Sequence, residues 1–246
     1  MNPTKTTLVK AMQLAGFENW RPKVDVPKLH RPRHRPSEMA GEGRSAAVML
    51  LLYSSAADER PKGQAGRLKL ILTKRHAKLA SHAGQISFPG GQQDNGESLW
   101  QTAVRETFEE IGVGGQELEF NGHDGDDKAR RFESGDSPSN ERIELLGQLN
   151  PVYIPPSDFT VSPFVAWLNG TPKFVRSEEE VDEIIEVPLD HLLKPEVLKY
   201  GEIKSASGMK INVPYFEVET HQVWGATAII LGELIERIRL AGVKWQ

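Results

Sequence analysis

No cysteine occurs among the 246 residues of the chain. Its absence excludes disulfide bonds, thiolate nucleophiles and cysteine-based zinc sites. A bound metal ion would therefore need oxygen or imidazole ligands, and a site built from carboxylates would favour Mg²⁺ or Mn²⁺.

Long apolar runs and a strong excess of one charge are also missing. No segment reaches the roughly 20 apolar residues that span a bilayer. The opening MNPTKTTLVKAMQLAGF lacks the uninterrupted apolar core and the cleavage site of a signal peptide. The 30 basic and 34 acidic residues leave a net charge of -4, which indicates no polyanion-binding surface. We therefore expect a soluble, cytoplasmic protein with no nucleic-acid or membrane partner.

The distribution of charge and proline predicts a main domain with two polar additions. Residues 1–44 are expected to form a short amphipathic helix followed by a Pro-, Arg- and His-rich arm. The stretch 30–36 is either an anion-attracting arm or, as we favour, a solvated tether. The main domain is predicted over residues 45–246. Within it, residues 121–142 are almost wholly polar, charged or glycine, which predicts an exposed, flexible insertion.

Strand-like and helix-like patterns alternate irregularly in the main domain. Apolar runs at 46–54 and 67–74 predict two strands joined as a hairpin, and a helix is predicted from about 98 to 111, ending at Gly112. Further strands are expected within 143–153, 159–168 and the start of 179–193, and a second long helix within 224–242. This order predicts an α/β or α+β fold with a mixed sheet.

The predicted central helix concentrates carboxylates on one edge. Positions three and four apart share a helix face, so Glu106, Glu109 and Glu110 converge there. Their mutual repulsion would be removed by a hard divalent cation, although a solvated acidic face is the simpler reading of three glutamates alone. Arg105 is placed to pair with Glu97 or Glu109 and so to orient the carboxylates. A carbonyl of the glycine pair before the helix, such as that of Gly90, could add a metal ligand.

These residues form part of a longer pattern. From Gly91 the sequence follows G-x5-E-x7-R-E-U-x-E-E-x-G-U, where U is a bulky apolar residue, through Glu97, Arg105, Glu106 and on to Val113. The pattern resembles the Nudix box, and it departs from it at Thr107, where an aliphatic residue is usual. The resemblance implies an α/β/α sandwich with a loop-helix-loop box and the hydrolysis of a diphosphate. It also implies that Glu106 and Glu110 are the main metal ligands, with Glu109 contributing.

The segment before the box resembles the coenzyme A pyrophosphatase branch of this family. LILTKRHAKLASHAGQISFPGG at residues 70–91 resembles its L-L-T-x-R and G-x3-F-P-G-G elements and departs from it at His76 and Ala80. The residues that fit are Leu72, Thr73, Arg75, Gly84, Phe88, Pro89, Gly90 and Gly91. The resemblance implies cleavage of coenzyme A (CoA) or its derivatives into 3′,5′-adenosine bisphosphate and 4′-phosphopantetheine, or its acylated form. A second cationic patch for the 3′-phosphate is predicted at Lys74, Arg75 and His82.

Several assignments stay open at this point. The base that activates water could be a box glutamate or Glu180, with Asp158 as a weaker alternative. For Arg75 we favour substrate contact over a structural ion pair, whereas for His82 a local turn hydrogen bond competes. Trp224 could stack on adenine, although packing at the start of the last helix is favoured. Alternative functions are a Nudix pyrophosphatase for another nucleoside diphosphate derivative, such as ADP-ribose or NADH, and a non-catalytic ligand sensor. The oligomeric state is undetermined, with a homodimer among the options.

Overall fold

The structure is a computed structural model, and it describes residues 4–18, 20, 43–55, 67–79, 82–114, 142–170, 172–204 and 210–242. The expected arm at 30–36 and all but residue 142 of the expected insertion lie outside these ranges. The helices are α1 (Lys5–Met12), α2 (Leu99–Ile111), α3 (Leu189–Leu192) and α4 (Gly225–Leu240), with 3₁₀ turns at Pro155–Ser157 and Pro195–Val197. The strands are β1 (Arg44–Ser54), β2 (Leu68–Arg75), β3 (Ile86–Ser87), β4 (Gly90–Gln92), β5 (Ile143–Gln148), β6 (Val152–Ile154), β7 (Phe159–Leu168), β8 (Val181–Pro188), β9 (Leu198–Lys204), β10 (Lys210–Val218) and β11 (His221–Val223).

An eight-stranded mixed sheet forms the centre of the fold. Its main order is β3-β2-β1-β7-β5, with β4 beside β1, β6 beside β7 and β8 beside β2. Strand β1 pairs with β7 in parallel, whereas its pairing with β2 and with β4 is antiparallel. The hairpin and the mixed sheet predicted from the sequence are therefore confirmed.

Both faces of the sheet are covered, because side chains of β1 alternate between two apolar clusters. Leu50 and Leu52 join the cluster under α4, and Met49 and Leu51 join the cluster under α2. This explains why β1 reads as a continuous apolar run rather than an alternating one. The arrangement confirms the predicted α/β/α sandwich.

The N-terminal helix contributes to the same core. Leu8 and Ala11 of α1 are fully buried in the cluster that contains the apolar face of α4. Arg237 of α4 donates to the carbonyl of Leu14 and pairs with Glu233 at 3.0 Å, which fixes the chain after α1. The division of the chain near residue 44 stays a prediction.

A second sheet was not predicted from the sequence. Strands β9, β10 and β11 form a three-stranded antiparallel meander beside the main sheet. The short strands β3 and β4 were likewise not predicted from the sequence. Within the described part of the chain, no helix is both long enough and apolar enough to cross a membrane.

Candidate active site

Helix α2 has the caps that its sequence predicts. The Ser98 side chain accepts from the Gln101 amide and the Gln101 side chain accepts from the Ser98 amide, a reciprocal capping box. The helix ends at Gly112, which has φ 75° and closes the last turn in the left-handed region. Thr107, the departure from the Nudix box, is fully buried, and its hydroxyl donates to the Ala103 carbonyl at 2.6 Å. The Thr107 hydroxyl therefore has a hydrogen-bond partner within the helix, at a position where an apolar residue is usual.

Arg105 is the hub of the carboxylate cluster. Its Nε and Nη2 contact the two carboxylate oxygens of Glu97 at 2.7 and 3.1 Å. Its Nη1 donates to Glu106 and to Glu109, both at 2.9 Å, and Nη2 also donates to the Gln92 carbonyl at 3.2 Å. The predicted orienting role of Arg105 agrees with these contacts. Hydrogen bonding to Glu97 is the largest of the effects that raise the pKa of Arg105, so the guanidinium stays charged.

Glu97 is held in its ionised form by the same contacts. Partial burial is the largest single effect on its pKa and opposes ionisation, but hydrogen bonds from Arg105 and Thr102 outweigh it and lower the pKa. Thr102 donates to Glu97 at 3.0 Å and escaped the sequence reasoning. Its position three residues before Arg105, on the same helix face, was the available signal.

The glycine pair allows the helix to approach β4. A Cβ atom at Gly91 would lie 2.4 Å from Cδ of Glu106, and one at Gly90, which has φ 150°, would lie 2.3 Å from the Ala47 carbonyl oxygen. A side chain at Gly91 would therefore displace the carboxylate of Glu106, and a side chain at Gly90 would clash with the backbone of β1. Gly90 also gives a backbone hydrogen bond to Glu110. Its predicted role as a carbonyl ligand to a metal stays a prediction.

Glu110 is the most buried carboxylate of the cluster. Only 2% of its side chain is exposed, and its nearest cation is Nη1 of Arg75 at 3.5 Å. Burial raises the pKa of Glu110 to about 8, against the opposing effect of Arg75 and with further contributions from Glu106 and Glu180. Burial likewise raises the pKa of Glu106. Two of the three predicted metal ligands thus carry a cost for ionisation that a bound cation would relieve.

The donors of the cluster are carboxylate oxygens, which are the type of ligand that a divalent cation binds, although the carboxylates are not arranged as a finished metal site. Oε2 of Glu110 is buried without a hydrogen-bond partner, and so is Nε of Arg75. Among the described residues, no three His, Cys, Asp or Glu side chains are gathered as a ready-made metal site. Arg105 holds the carboxylates of Glu106 and Glu109. An all-oxygen set with one orphaned buried carboxylate oxygen is the kind of site that a hard cation completes.

The predicted cationic patch is divided between two places. Arg75, at the end of β2, points to α2 and Glu110. Lys74 lies opposite Glu183 in the register of β2 and β8, and the carboxylate of Glu183 lies 3.2 Å from Nε2 of His221 on β11. His82 has φ 57°, and its Nδ1 lies 3.0 Å from Oε1 of Gln85, the local turn contact that was weighed from the sequence. Substrate binding by these three residues stays a prediction.

The two candidates for the catalytic base that follow the Nudix box in the sequence, Glu180 and Asp158, differ in their surroundings. Glu180 is exposed just before β8, and its charge acts on both Glu106 and Glu110. Asp158, which has φ 52°, accepts a hydrogen bond from the Tyr153 hydroxyl at 3.0 Å. The proximity of Glu180 to the cluster is consistent with its predicted role, which stays a prediction.

Comparison with known proteins bears on the family. A family model described as NUDIX domain matches residues 55–206. Nudix hydrolase 3 of Caenorhabditis elegans is 30% identical over 188 residues, which cover 69% of this chain and 67% of that protein. Nudix hydrolase NudL of Yersinia enterocolitica is 30% identical over 214 residues, which cover 87% of this chain and 90% of that protein. The human mitochondrial coenzyme A diphosphatase NUDT8 is 32% identical over 165 residues, which cover 65% of this chain and 59% of the human protein.

Proposed function

The chain belongs to the Nudix hydrolase family and is a pyrophosphatase, and on that premise we propose that its substrate is CoA or a CoA derivative. The products would be 3′,5′-adenosine bisphosphate and 4′-phosphopantetheine or an acylated form of it. ADP-ribose and NADH remain the alternative substrates, because the Nudix box itself selects only the diphosphate.

One observation carries the choice of CoA. The segment that resembles the CoA branch forms part of the carboxylate site, because Arg75 from its first element lies 3.5 Å from Glu110. A residue of the branch pattern thus contacts a glutamate of the Nudix box. The name of the human relative, a coenzyme A diphosphatase, agrees with this choice.

The predicted ligands Glu106, Glu109 and Glu110 would hold Mg²⁺ or Mn²⁺, since Nudix hydrolases generally need divalent ions. A bound ion of this kind neutralises the diphosphate and activates water as a nucleophile. Arg105 orients the carboxylates of Glu106 and Glu109 through its Nη1 contacts, and Glu97 in turn fixes Arg105.

Arg75 is the cation of this site placed to contact the diphosphate, because 25% of its side chain is exposed and its guanidinium already faces the carboxylates. Hydrolysis adds the water oxygen to one phosphorus and breaks the P–O–P bridge, and the other phosphate leaves with the bridging oxygen. The water proton passes to a carboxylate, for which Glu180 or a box glutamate is proposed. A cytoplasmic location is also proposed, and fluorescence microscopy of the tagged full chain would test it.

A substrate panel tests the proposal. Purified protein with Mg²⁺ or Mn²⁺ would be given CoA, an acyl-CoA, dephospho-CoA, ADP-ribose and NADH, and the products identified by mass spectrometry. We expect kcat/KM to be highest for CoA or acyl-CoA. Faster cleavage of ADP-ribose or NADH would replace the CoA assignment with the alternative. Equal rates for CoA and dephospho-CoA would contradict a 3′-phosphate site at Lys74, Arg75 and His82.

A further inference from the structure

A cleft of about 510 Å³ lies near the end of β2, on the side away from the carboxylate cluster. One wall is the chain segment 83–86, which belongs to the part of the sequence resembling the CoA branch. The opposite wall is the turn between β10 and β11, with Glu217, Thr220, Gln222 and Trp224 among its lining residues. The volume is typical of a small-molecule site.

The lining is polar and carries no fixed positive charge. No lysine or arginine is found among the described residues that line the cleft, whereas Glu217, Glu219 and His221 all line it. Lys199 pairs with Glu217 at 2.6 Å from outside the cleft, and the imidazole of His221 lies 3.2 Å from Glu183. A phosphate group in this cleft would meet like charge, whereas an uncharged group with N–H donors would meet acceptors.

The cleft is joined to the carboxylate site through Arg75. The backbone amide of Arg75 donates to the Gln85 carbonyl at 3.0 Å, and its carbonyl accepts from the Gly84 amide at 3.1 Å. The side chain of the same residue reaches Glu110. A molecule whose diphosphate lies against Arg75 and Glu110 could therefore extend one end past residues 83–86 into the cleft. Gly84 leaves space for this passage, because a Cβ atom there would meet nothing within 4 Å.

We infer that this cleft binds the phosphate-free arm of the substrate, an uncharged chain with amide N–H donors. For CoA that arm is pantetheine, so the inference rests on the proposed function and extends it. The adenosine end carries the 3′-phosphate, which the two glutamates of the lining disfavour. The indole of Trp224 then faces the pantetheine chain and not the adenine that the sequence suggested as its alternative partner.

The test uses a matched pair of variants. Gln222 is exposed, lines the cleft and lies opposite Glu217 in the β10–β11 ladder, so Gln222→Trp places bulk in the cleft at a strand position that tolerates it. Asn212 is also exposed and lies on β10 outside the lining, opposite Glu202. Asn212→Trp therefore adds the same side chain to the same small sheet without entering the cleft.

Direct binding is measured by titrating pantetheine, which carries no phosphate, into each full-length protein in EDTA while following the Trp224 indole N–H resonance by NMR. The wild type and Asn212→Trp are expected to bind with equal Kd, and Gln222→Trp at least tenfold more weakly. In hydrolysis assays the KM for CoA should rise by a similar factor in Gln222→Trp alone.

Two results would overturn the inference. The first is the absence of pantetheine binding to the wild type, or an unchanged Kd in Gln222→Trp. The second is loss of adenosine 3′,5′-bisphosphate binding in Gln222→Trp with pantetheine binding unaffected, which would place the nucleotide in the cleft. Because pantetheine binding is read without turnover, a failure to hydrolyse CoA would count against the proposed function and not against the cleft.

Discussion

Replacing Glu110 by glutamine should stabilise the metal-free protein at alkaline pH. The carboxylate is buried, and its folded-state pKa is raised from the ordinary 4.5 to about 8. Between these two values the folded state binds more protons at this site than the unfolded state. The free energy of unfolding therefore falls as the pH rises from about 4.5 to about 8. Above pH 8 the full cost of burying the charged carboxylate is present. Glutamine has nearly the same shape and no charge to bury.

The magnitude follows from the size of the pKa change. A rise from 4.5 to about 8 corresponds to about 5 kcal/mol, since each tenfold change in proton affinity is worth about 1.4 kcal/mol. The glutamine amide would itself lack partners in this pocket, which costs about 1–3 kcal/mol. The free energy of unfolding of Glu110→Gln should therefore exceed that of the wild type by about 2–4 kcal/mol at pH 9. Near pH 5 most of the charge penalty is gone, so the variant should be as stable as the wild type or less stable by up to about 2 kcal/mol.

Urea denaturation in EDTA at pH 5 and pH 9 measures this difference. Glu196→Gln is the matched control, because Glu196 is exposed in the turn before β9, far along the chain from the carboxylate cluster. Excess Mg²⁺ or Mn²⁺ should stabilise the wild type by mass action and leave Glu110→Gln nearly unchanged. An equal or lower stability of Glu110→Gln at pH 9 in EDTA would refute the reasoning, as would an identical effect in Glu196→Gln.

Three further substitutions test other parts of the site. Gly91→Ala should lower kcat/KM at least tenfold with an unchanged circular dichroism spectrum, because its Cβ would lie 2.4 Å from Cδ of Glu106; normal kinetics would contradict this. Arg105→Lys keeps the charge but loses the two-pronged contact with a carboxylate, so urea denaturation should show a loss of about 2–4 kcal/mol; a loss below about 1 kcal/mol would remove Arg105 as the hub. Thr107→Val should change stability by less than about 1 kcal/mol and leave kcat/KM intact, because only one hydroxyl contact to Ala103 is lost; a large loss of activity would give the hydroxyl a catalytic role.

Local features were predictable from the sequence. Helix α2 was placed to within one residue because Ser98 and Gly112 are caps that act on their own neighbours. The contact of Arg105 with Glu109 followed from the i,i+4 spacing on the helix, and the last helix followed from its apolar periodicity. These features depend on residues that are close along the chain.

Features that depend on distant residues were missed. The contact between Arg75 and Glu110 joins positions 35 apart, and no local pattern encodes it. The small sheet was missed because Gly201 interrupts the short strand β9 and Pro214 interrupts β10. The separation of Lys74 from Arg75 could have been foreseen, since neighbours on a strand point to opposite faces.

The central claim is that the Glu106 and Glu110 carboxylates, through a divalent cation, drive cleavage of the CoA diphosphate. Its most direct test is the release of 4′-phosphopantetheine from CoA, measured by mass spectrometry for the wild type and Glu110→Gln in Mg²⁺ or Mn²⁺ and in EDTA. We predict stoichiometric 4′-phosphopantetheine and 3′,5′-adenosine bisphosphate from the wild type with metal, none in EDTA, and a rate lower by several orders of magnitude in a folded Glu110→Gln. Turnover in EDTA, or near-normal turnover by Glu110→Gln, would contradict it.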